Sequence, residues 1–468
     1  MSGKRQKSPQ QMAFRFDGTG EACLVVWEGT GTLAAEREPE NPANGQQLME
    51  EILEQENLSK ALQRVQGNEG SPGIDGMTVD ELPGYLNEHW PVIWEQLMSG
   101  TYKPQPVKRV EIPKPDGLRF SAGVRKLGIP TVLDRYIQQA VQQVLQQRWD
   151  PTFSDSSYGF RPGRSQRDAV AQAQQYIAEG YGWCVDLDLE KFFDRVNHDK
   201  LMGRIAKREE DKRLLKLIRA FLNAGVMENG LVSPSVEGTP QGGPLSPLLS
   251  NLVLDELDRE MEARGHRFVR YADDCNIYVR SERAGKRVME SVKRFITTKL
   301  KLKVNETKSA VAKPQERKFL GFSFFMAKTG PKRSIAPKAL DRFKERVREI
   351  TLGSKGRSMK QTIEELARYL RGWVAYFGFC ETPWVLRALD SWIRRRLRCA
   401  FWQQWKTSRK RCAELVKRGV KPEMAKNMAG SNQGSWHLSL SQAMSFALPN
   451  AELASLGLLS LAQCQKLN

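Results

Sequence analysis

Arg267–Arg280, RFVRYADDCNIYVR, is the stretch whose reading decides the fold. Its apolar residues fall at strand spacing on both sides of two adjacent acids: Phe268, Val269 and Tyr271 precede Asp273 and Asp274, and Cys275, Ile277, Tyr278 and Val279 follow them. Such alternation predicts a β-hairpin with two carboxylates at its tip. Like charges side by side repel, so a turn that fixes both on a half-buried sheet calls for a cation, and hard carboxylate oxygens suit Mg²⁺. A solvated Asp-Asp turn is the plain alternative, because acids are ordinary turn residues.

A second acidic strand upstream favours the cation. In WCVDLDLEKFFDRVNH (183–198) strand side chains alternate, so Trp183, Val185, Leu187 and Leu189 share one face and Asp186 and Asp188 the other. Phe192 and Phe193 follow as the chain turns toward a helix, and His198 reads as structural. Metal-dependent phosphoryl transfer asks for carboxylates from different strands, holding two ions ~3.5–4 Å apart. Asp188, Asp273 and Asp274 would supply them. Between the two acidic strands lies EGTPQGGPLSPLLSNLVLDELDREM (237–261), with glycines around Gln241. Ser246-Pro247 reads there as an N-cap followed by proline at the first helical position. Glycines at a helix start let the backbone approach a phosphate or a base pair closely.

The chain of 468 residues is long enough for about three domains of ~150 residues. A net charge of +19 and a pI near 9.6 point to a polyanionic partner, phosphate backbones first. No apolar run approaches the ~20 residues of a spanning helix, and MSGKRQKSPQQMAF has no signal-like apolar core, so a soluble, intracellular chain is expected. The seven cysteines are odd in number, scattered and without a C-x-x-C pair, which argues against a disulfide framework, a zinc finger or a Cys-rich endonuclease site.

Residues 1–45 read as a flexible leader. Helical patterns follow over 45–65 and 86–98. In YKPQPVKRVEIPKPDG (102–117), prolines forbid helix, so Lys103, Lys108, Arg109 and Lys114 fall on extended strands with a tight turn at Pro115-Asp116-Gly117. The result is a basic fingertip suited to a triphosphate. Arg125 and Lys126 sit on the next strand-like segment, ahead of a helix with Val132, Ile137, Val141, Val144 and Leu145 on its buried stripe. SYGFRPGRS (157–165) places Arg161 and Arg164 in a Gly/Pro loop, a candidate clamp on a nucleic-acid strand. From Pro331 to Lys421 there are 24 Lys and Arg against 8 Asp and Glu, most of the chain's positive excess. Within it, LRALDSWIRRRLRCAFWQQW shows Leu389, Trp392/Ile393, Leu397 and Phe401 at helical spacing, with Arg394, Arg395, Arg396 and Arg398 around the other faces. A helix so one-sided in charge repels itself, which favours a duplex or structured-RNA surface over a solvated face.

In order, RKLGIP, SYGFRPGRS, VDLDLEKFFD, GTPQGGPLSPLLSN, RYADD, NETKS and KFLGF resemble the reverse transcriptases encoded by bacterial group II introns. RYLRGWVAYF and RRRLRCAFWQQW are similar to their maturase, or thumb, domain, and the likeness runs from about residue 46 to 450. It implies an α+β right-hand polymerase: leader 1–45, N-terminal extension and fingers 46–180, palm with an antiparallel sheet 181–330, basic helical thumb/maturase domain 331–425 and helical tail 426–468. The implied activity is RNA-directed DNA synthesis that copies intron RNA, joined to assistance in splicing and mobility. Asp188, Asp273 and Asp274 would hold two Mg²⁺ ions, with Mn²⁺ a possible substitute. Phe193 would stand as a gate against the sugar 2′-hydroxyl, Lys114 and Arg125 would grip the triphosphate, Gln241 would lie under the nascent pair, Lys308 would donate a proton to pyrophosphate, and KFLGF resembles the primer grip. The implied partners are structured intron RNA, an RNA template on a DNA primer and deoxynucleoside triphosphates, with no membrane and a cytoplasmic location, nucleoid-associated when on DNA. Two features depart from the pattern: extra residues precede Arg125 in KPDGLRFSAGVRKLGIP, and no Cys/His-rich endonuclease follows the thumb. Two other readings stand beside this one: a splicing maturase in which polymerisation is secondary, and a host-adapted polymerase serving DNA repair or phage defence.

Overall fold

The computed structural model describes residues 47–113, 124–228, 231–233, 238, 242–352 and 356–465. The leader, Lys114, the 115–117 turn, Gln241 and the Arg125 side chain lie outside the described residues. The described strands are β1 (Val107–Pro113), β2 (Val124–Ile129), β3 (Trp183–Leu187), β4 (Val226–Glu228), β5 (Leu231–Ser233), β6 (Arg267–Tyr271), β7 (Asp274–Val279), β8 (Ala310–Ala312), β9 (Phe322–Ala327) and β10 (Gly330–Ile335). Helices make up most of the remainder, so the chain is an α+β protein with a helical C-terminal region. It divides into two units: one of 1–165, 187–275 and 287–310, the other of 166–186, 276–286 and 311–468.

In the first unit one sheet runs β2-β1-β4-β5. β1 and β2 pair antiparallel from Lys108 opposite Ile129 to Pro113 opposite Val124, and β1 meets β4 in parallel. The basic side chains of this sheet are partly spent on it: Arg109 reaches Glu228 at 3.1 Å and Lys126 reaches Glu111 at 3.8 Å. The helix Val132–Trp149 buries Val132, Ile137, Val141, Val144 and Leu145, as its spacing predicts. Thr131 caps it by accepting the Asp134 N–H. The helical pattern over 45–65 proves to be two helices, Leu48–Ile52 and Gln55–Gly67, separated at Leu53 and Glu54.

Ser246 is not an N-cap, contrary to the sequence expectation. It is the first residue of the helix Ser246–Ala263, whose cap position is Leu245, and no side chain closes that end. The Ser246 N–H donates to the Gly243 carbonyl at 3.3 Å, so the helix grows from the preceding Gly-Pro turn and needs no hydroxyl. A side chain at Gly242, whose φ is +135°, would sit 2.6 Å from the Gly128 carbonyl, which is why glycine is required there.

The same helix carries Asn251, Asp255 and Asp258 on one face, four and three residues apart. Asp258 meets Arg270 of β6 in a fully buried ion pair at 2.5 Å. Arg270 spends every donor: Nε and Nη2 on Asp258, Nη2 also on Ser157 Oγ at 2.7 Å, and Nη1 on Asn251 Oδ1 and the Ala272 carbonyl, both at 3.0 Å. Asn251 in turn donates to the Gly159 carbonyl at 2.8 Å. The Ser156–Tyr158 backbone runs along β6, with Arg270 N–H donating to Ser156 and Tyr158 N–H donating to Arg270, each at 2.9 Å. Burial opposes the charge on Arg270, yet the Asp258 carboxylate holds the guanidinium above its ordinary range. Both ends of this network touch Ala272, the first residue of the hairpin turn.

In the second unit β9 and β10 pair antiparallel, from Gly330 opposite Ala327 to Ile335 opposite Phe322. Three helices follow, Pro337–Leu352, Met359–Phe377 and Pro383–Gln404; Ser358 and Gln361 form a capping box on the second. Leu389, Ile393, Leu397 and Phe401 are buried, as their spacing predicts. The remaining sheet runs β6-β7-β3-β8, so the strand after the hairpin turn is hydrogen-bonded to the strand that leads to Asp188. No helix among the described residues is long and apolar enough to cross a membrane.

Removing one partner of a buried ion pair costs about 3–5 kcal/mol. Arg270→Met is therefore expected to lower the urea midpoint sharply, and Arg270→Met with Asp258→Leu to recover most of it. Gly159→Ala would put a Cβ 2.3 Å from the Ala272 nitrogen, so a loss of about 1–3 kcal/mol is expected in the same measurement.

Candidate active site

The hairpin forms where its alternation predicts it. Ala272 and Asp273 make the turn, Asp274 opens β7, and the Asp274 side chain is exposed while Asp273 is half-buried. Ala272 has φ +55°, a left-handed conformation that costs an alanine about 1–2 kcal/mol. Arg270 and the Gly159 backbone hold it there, which keeps the two acids at a fixed tip.

Asp188 lies one residue beyond β3. The NETKS turn clasps its backbone: Asn305 N–H donates to the Asp188 carbonyl at 2.8 Å, and Asp188 N–H donates to Ser309 Oγ at 3.0 Å. The same turn brings Lys308 Nζ to 3.1 Å from Asp188 Oδ2, with the ammonium largely exposed. The other acid of the strand, Asp186, pairs with Arg317 at 2.6 Å.

Phe193 sits in a short 3₁₀ turn, Phe192–Asp194, entered through Lys191 at φ +49°. Phe192 is buried, Phe193 is half-buried, and their rings meet edge-on at 5.3 Å. Gly238 of the glycine-rich segment packs on this turn. A Cβ there would lie 2.8 Å from the Phe193 carbonyl, its N–H donates to the Val196 carbonyl at 2.8 Å, and its own carbonyl bonds His198 Nε2 at 2.6 Å. His198 is buried and structural. Gly238 is thus anchored to the turn that carries Phe193, although more than forty residues separate the two in sequence.

The structure gives most of these arginines partners within the protein. Arg161 is buried, with its guanidinium on Asp150 and on the carbonyls of Asp150, Ser154 and Ser157, so it braces the 150–161 segment. Arg164 pairs with Asp155 at 2.6 Å and bonds its carbonyl. In the basic helix, Arg395 stacks on Trp436 at 3.9 Å and donates to its carbonyl, Arg396 donates to Thr351 Oγ1 at 2.8 Å, and Arg398 donates to the Leu448 carbonyl at 3.0 Å. Burial lowers the affinity of Arg396 and Arg398 for their protons below the usual guanidinium range. These three staple helices together, and they and Arg394 are all half-exposed. The physical reason is that a guanidinium can fill five donor positions within its own protein, which composition does not reveal.

Sequence reasoning also missed Arg270, Asp258, Asn251 and Ser157. A signal existed: Arg270 shares the strand face of the fully buried Phe268, where an arginine needs a partner, and acids recur at helical spacing at 255 and 258.

Among the described residues, no group of three or more His, Cys, Asp and Glu comes together as a ready-made metal cage. Mg²⁺ is commonly bound by one or two carboxylates completed by substrate phosphates and water, so such a cage is not required. The donors present are hard carboxylate oxygens. One of them, Asp188, already faces a cationic group in Lys308. In donor chemistry these residues fit Mg²⁺.

Residues 112–324 match the family described as reverse transcriptase (RNA-dependent DNA polymerase), and residues 340–418 match the group II intron maturase-specific domain. Group II intron-encoded protein LtrA of Lactococcus lactis subsp. cremoris is 31% identical over 58% of this chain and 55% of its own. Protein YkfC of Escherichia coli (strain K12) is 36% identical over 47% of this chain and 58% of its own. A putative COX1/OXI3 intron 2 protein of Saccharomyces cerevisiae is 32% identical over 41% of this chain and 22% of its own. The chain spans little more than half the length of the first two. With a reverse transcriptase domain followed by a group II intron maturase-specific domain, the chain belongs to the group II intron reverse transcriptase/maturase family.

Proposed function

We propose that this chain is an RNA-directed DNA polymerase that copies intron RNA, with Asp188, Asp273 and Asp274 as its metal-binding carboxylates. The observation that carries the reading is the Ala272–Asp274 turn: two acids fixed at a strained, fully backed tip, on a strand hydrogen-bonded to the one that leads to Asp188. Such rigidity suits a reaction whose catalysis is mostly placement and charge neutralisation.

In this reading the primer 3′-oxygen attacks the α-phosphorus of a deoxynucleoside triphosphate, and the bond from that phosphorus to the bridging oxygen breaks to release pyrophosphate. Two bound Mg²⁺ ions would make the 3′-hydroxyl more acidic and neutralise charge on the leaving group. Arg270 keeps Asp273 and Asp274 from relaxing out of the left-handed turn. Lys308, 3.1 Å from Asp188, can hold the proton that pyrophosphate takes up. Phe193, braced by Gly238, would contact the sugar and disfavour a 2′-hydroxyl. Lys114, Arg125 and Gln241 would bind the triphosphate and the nascent pair. A second role, binding structured intron RNA to assist splicing, is supported by the maturase-specific match over 340–418 and the charge excess there.

Asp273→Ala with Asp274→Ala is expected to lower primer extension by more than about a thousandfold while RNA affinity changes little. Extension on an RNA template with deoxynucleotides measures the first and filter binding the second; retained synthesis contradicts the assignment. Phe193→Ala is expected to raise ribonucleotide incorporation relative to deoxynucleotide, read as the ratio of kcat/KM values. Splicing assistance that survives the double substitution would separate the RNA-binding role from synthesis.

A further inference from the structure

Arg161 of the SYGFRPGRS loop turns inward and Arg164 pairs with Asp155, while the loop presents an aromatic ring to solvent. Phe160 is 47% exposed. Its backbone stands at φ +58°, a conformation that bulky side chains adopt only under constraint. The cause is next to it: Gly159 is pressed so close to the hairpin turn that a Cβ would lie 2.3 Å from the Ala272 nitrogen. The chain must therefore swing outward at 160, and the Phe160 ring stands 6.3 Å from Tyr271, two residues before Asp273.

Phe160 lines two open cavities of about 480 and 730 Å³, which share Arg64, Gln142 and Gln146. Gln142 donates to Gln146 at 3.2 Å, and Gln146 donates to Asp150 at 2.8 Å, so the wall facing this space is a ladder of amides. An amide both donates and accepts, which lets it meet any base edge. Arg64 supplies a charge for a phosphate. Glu51, Glu54 and Glu56 line the larger cavity as well and repel a backbone from their end, leaving the space near Phe160. An exposed aromatic, amides and a cation beside the acids make a groove for single-stranded nucleic acid that is indifferent to sequence.

We propose that Phe160 is the platform on which a base of the single-stranded RNA template stacks as it approaches the primer end. This rests on the polymerase reading. The backbone strain places the ring.

The test uses the full chain with a DNA primer on an RNA template that carries a 5′ single-stranded extension. Phe160→Ala and Phe160→Gly are expected to raise the template concentration at half-maximal rate, and the dissociation constant of a fluorescent overhang duplex, by roughly 5- to 100-fold, with kcat changed by less than about twofold. Phe160→Trp should stay within about twofold of the parent. Glycine is at ease at this φ, so Phe160→Gly should unfold no more easily than the parent, which separates lost stacking from lost structure. An abasic nucleotide walked along the extension should weaken the parent at one position and have no further effect there in Phe160→Ala. Equal template affinity in parent, Ala and Gly variants, or equal abasic penalties in parent and variant, overturns the proposal. If the parent extends no primer, the polymerase reading fails, while the overhang affinities still decide whether Phe160 stacks a base.

Discussion

A buried ion pair, Arg270 with Asp258, fixes the geometry that the rest depends on. Two charges removed from water are tolerated only when hydrogen bonds saturate them, and here the guanidinium reaches a carboxylate, an amide, a hydroxyl and a carbonyl. That carbonyl belongs to Ala272. The cost of burying the pair is thereby tied to the conformation of the turn that carries Asp273 and Asp274. Should the turn relax, an arginine donor would be stranded in a dry interior. The left-handed alanine is thus held by something more expensive to break than the strain it stores.

The same logic explains the glycines that matter. Gly159 lets the 156–160 segment lie against the turn, and Gly238 itself lies against the Phe193 turn. In both places backbone approaches backbone more closely than any Cβ allows. The outcome is a first unit in which side chains expected to meet nucleotide and metal stand on turns braced from behind. Asp188 receives its own brace from NETKS, whose Asn305 and Ser309 fix its backbone while Lys308 faces its carboxylate.

Much of this was legible in the chain. The hairpin and the acidic strand follow from alternation at period two, and the Val132–Trp149 helix from its apolar stripe. Motif order carried the family. What stayed hidden was the destination of each arginine. Arg161, Arg395, Arg396 and Arg398 look in sequence like groups awaiting a phosphate, and in the fold they satisfy carbonyls, a hydroxyl and an indole. Sequence reports charge, whereas a donor's partner is set by long-range packing. The helix start at Ser246 was missed for a related reason, since a Gly-Pro turn can seed a helix as well as a hydroxyl can.

The central claim is that Asp188 and the hairpin acids serve one metal centre. Mn²⁺ titration followed by electron paramagnetic resonance, with primer, RNA template and a non-hydrolysable deoxynucleoside triphosphate present, tests it most directly. The account predicts that the parent protein binds Mn²⁺ and that Asp188→Asn and Asp273→Asn each weaken the same sites. Unchanged Mn²⁺ binding in Asp188→Asn would contradict it.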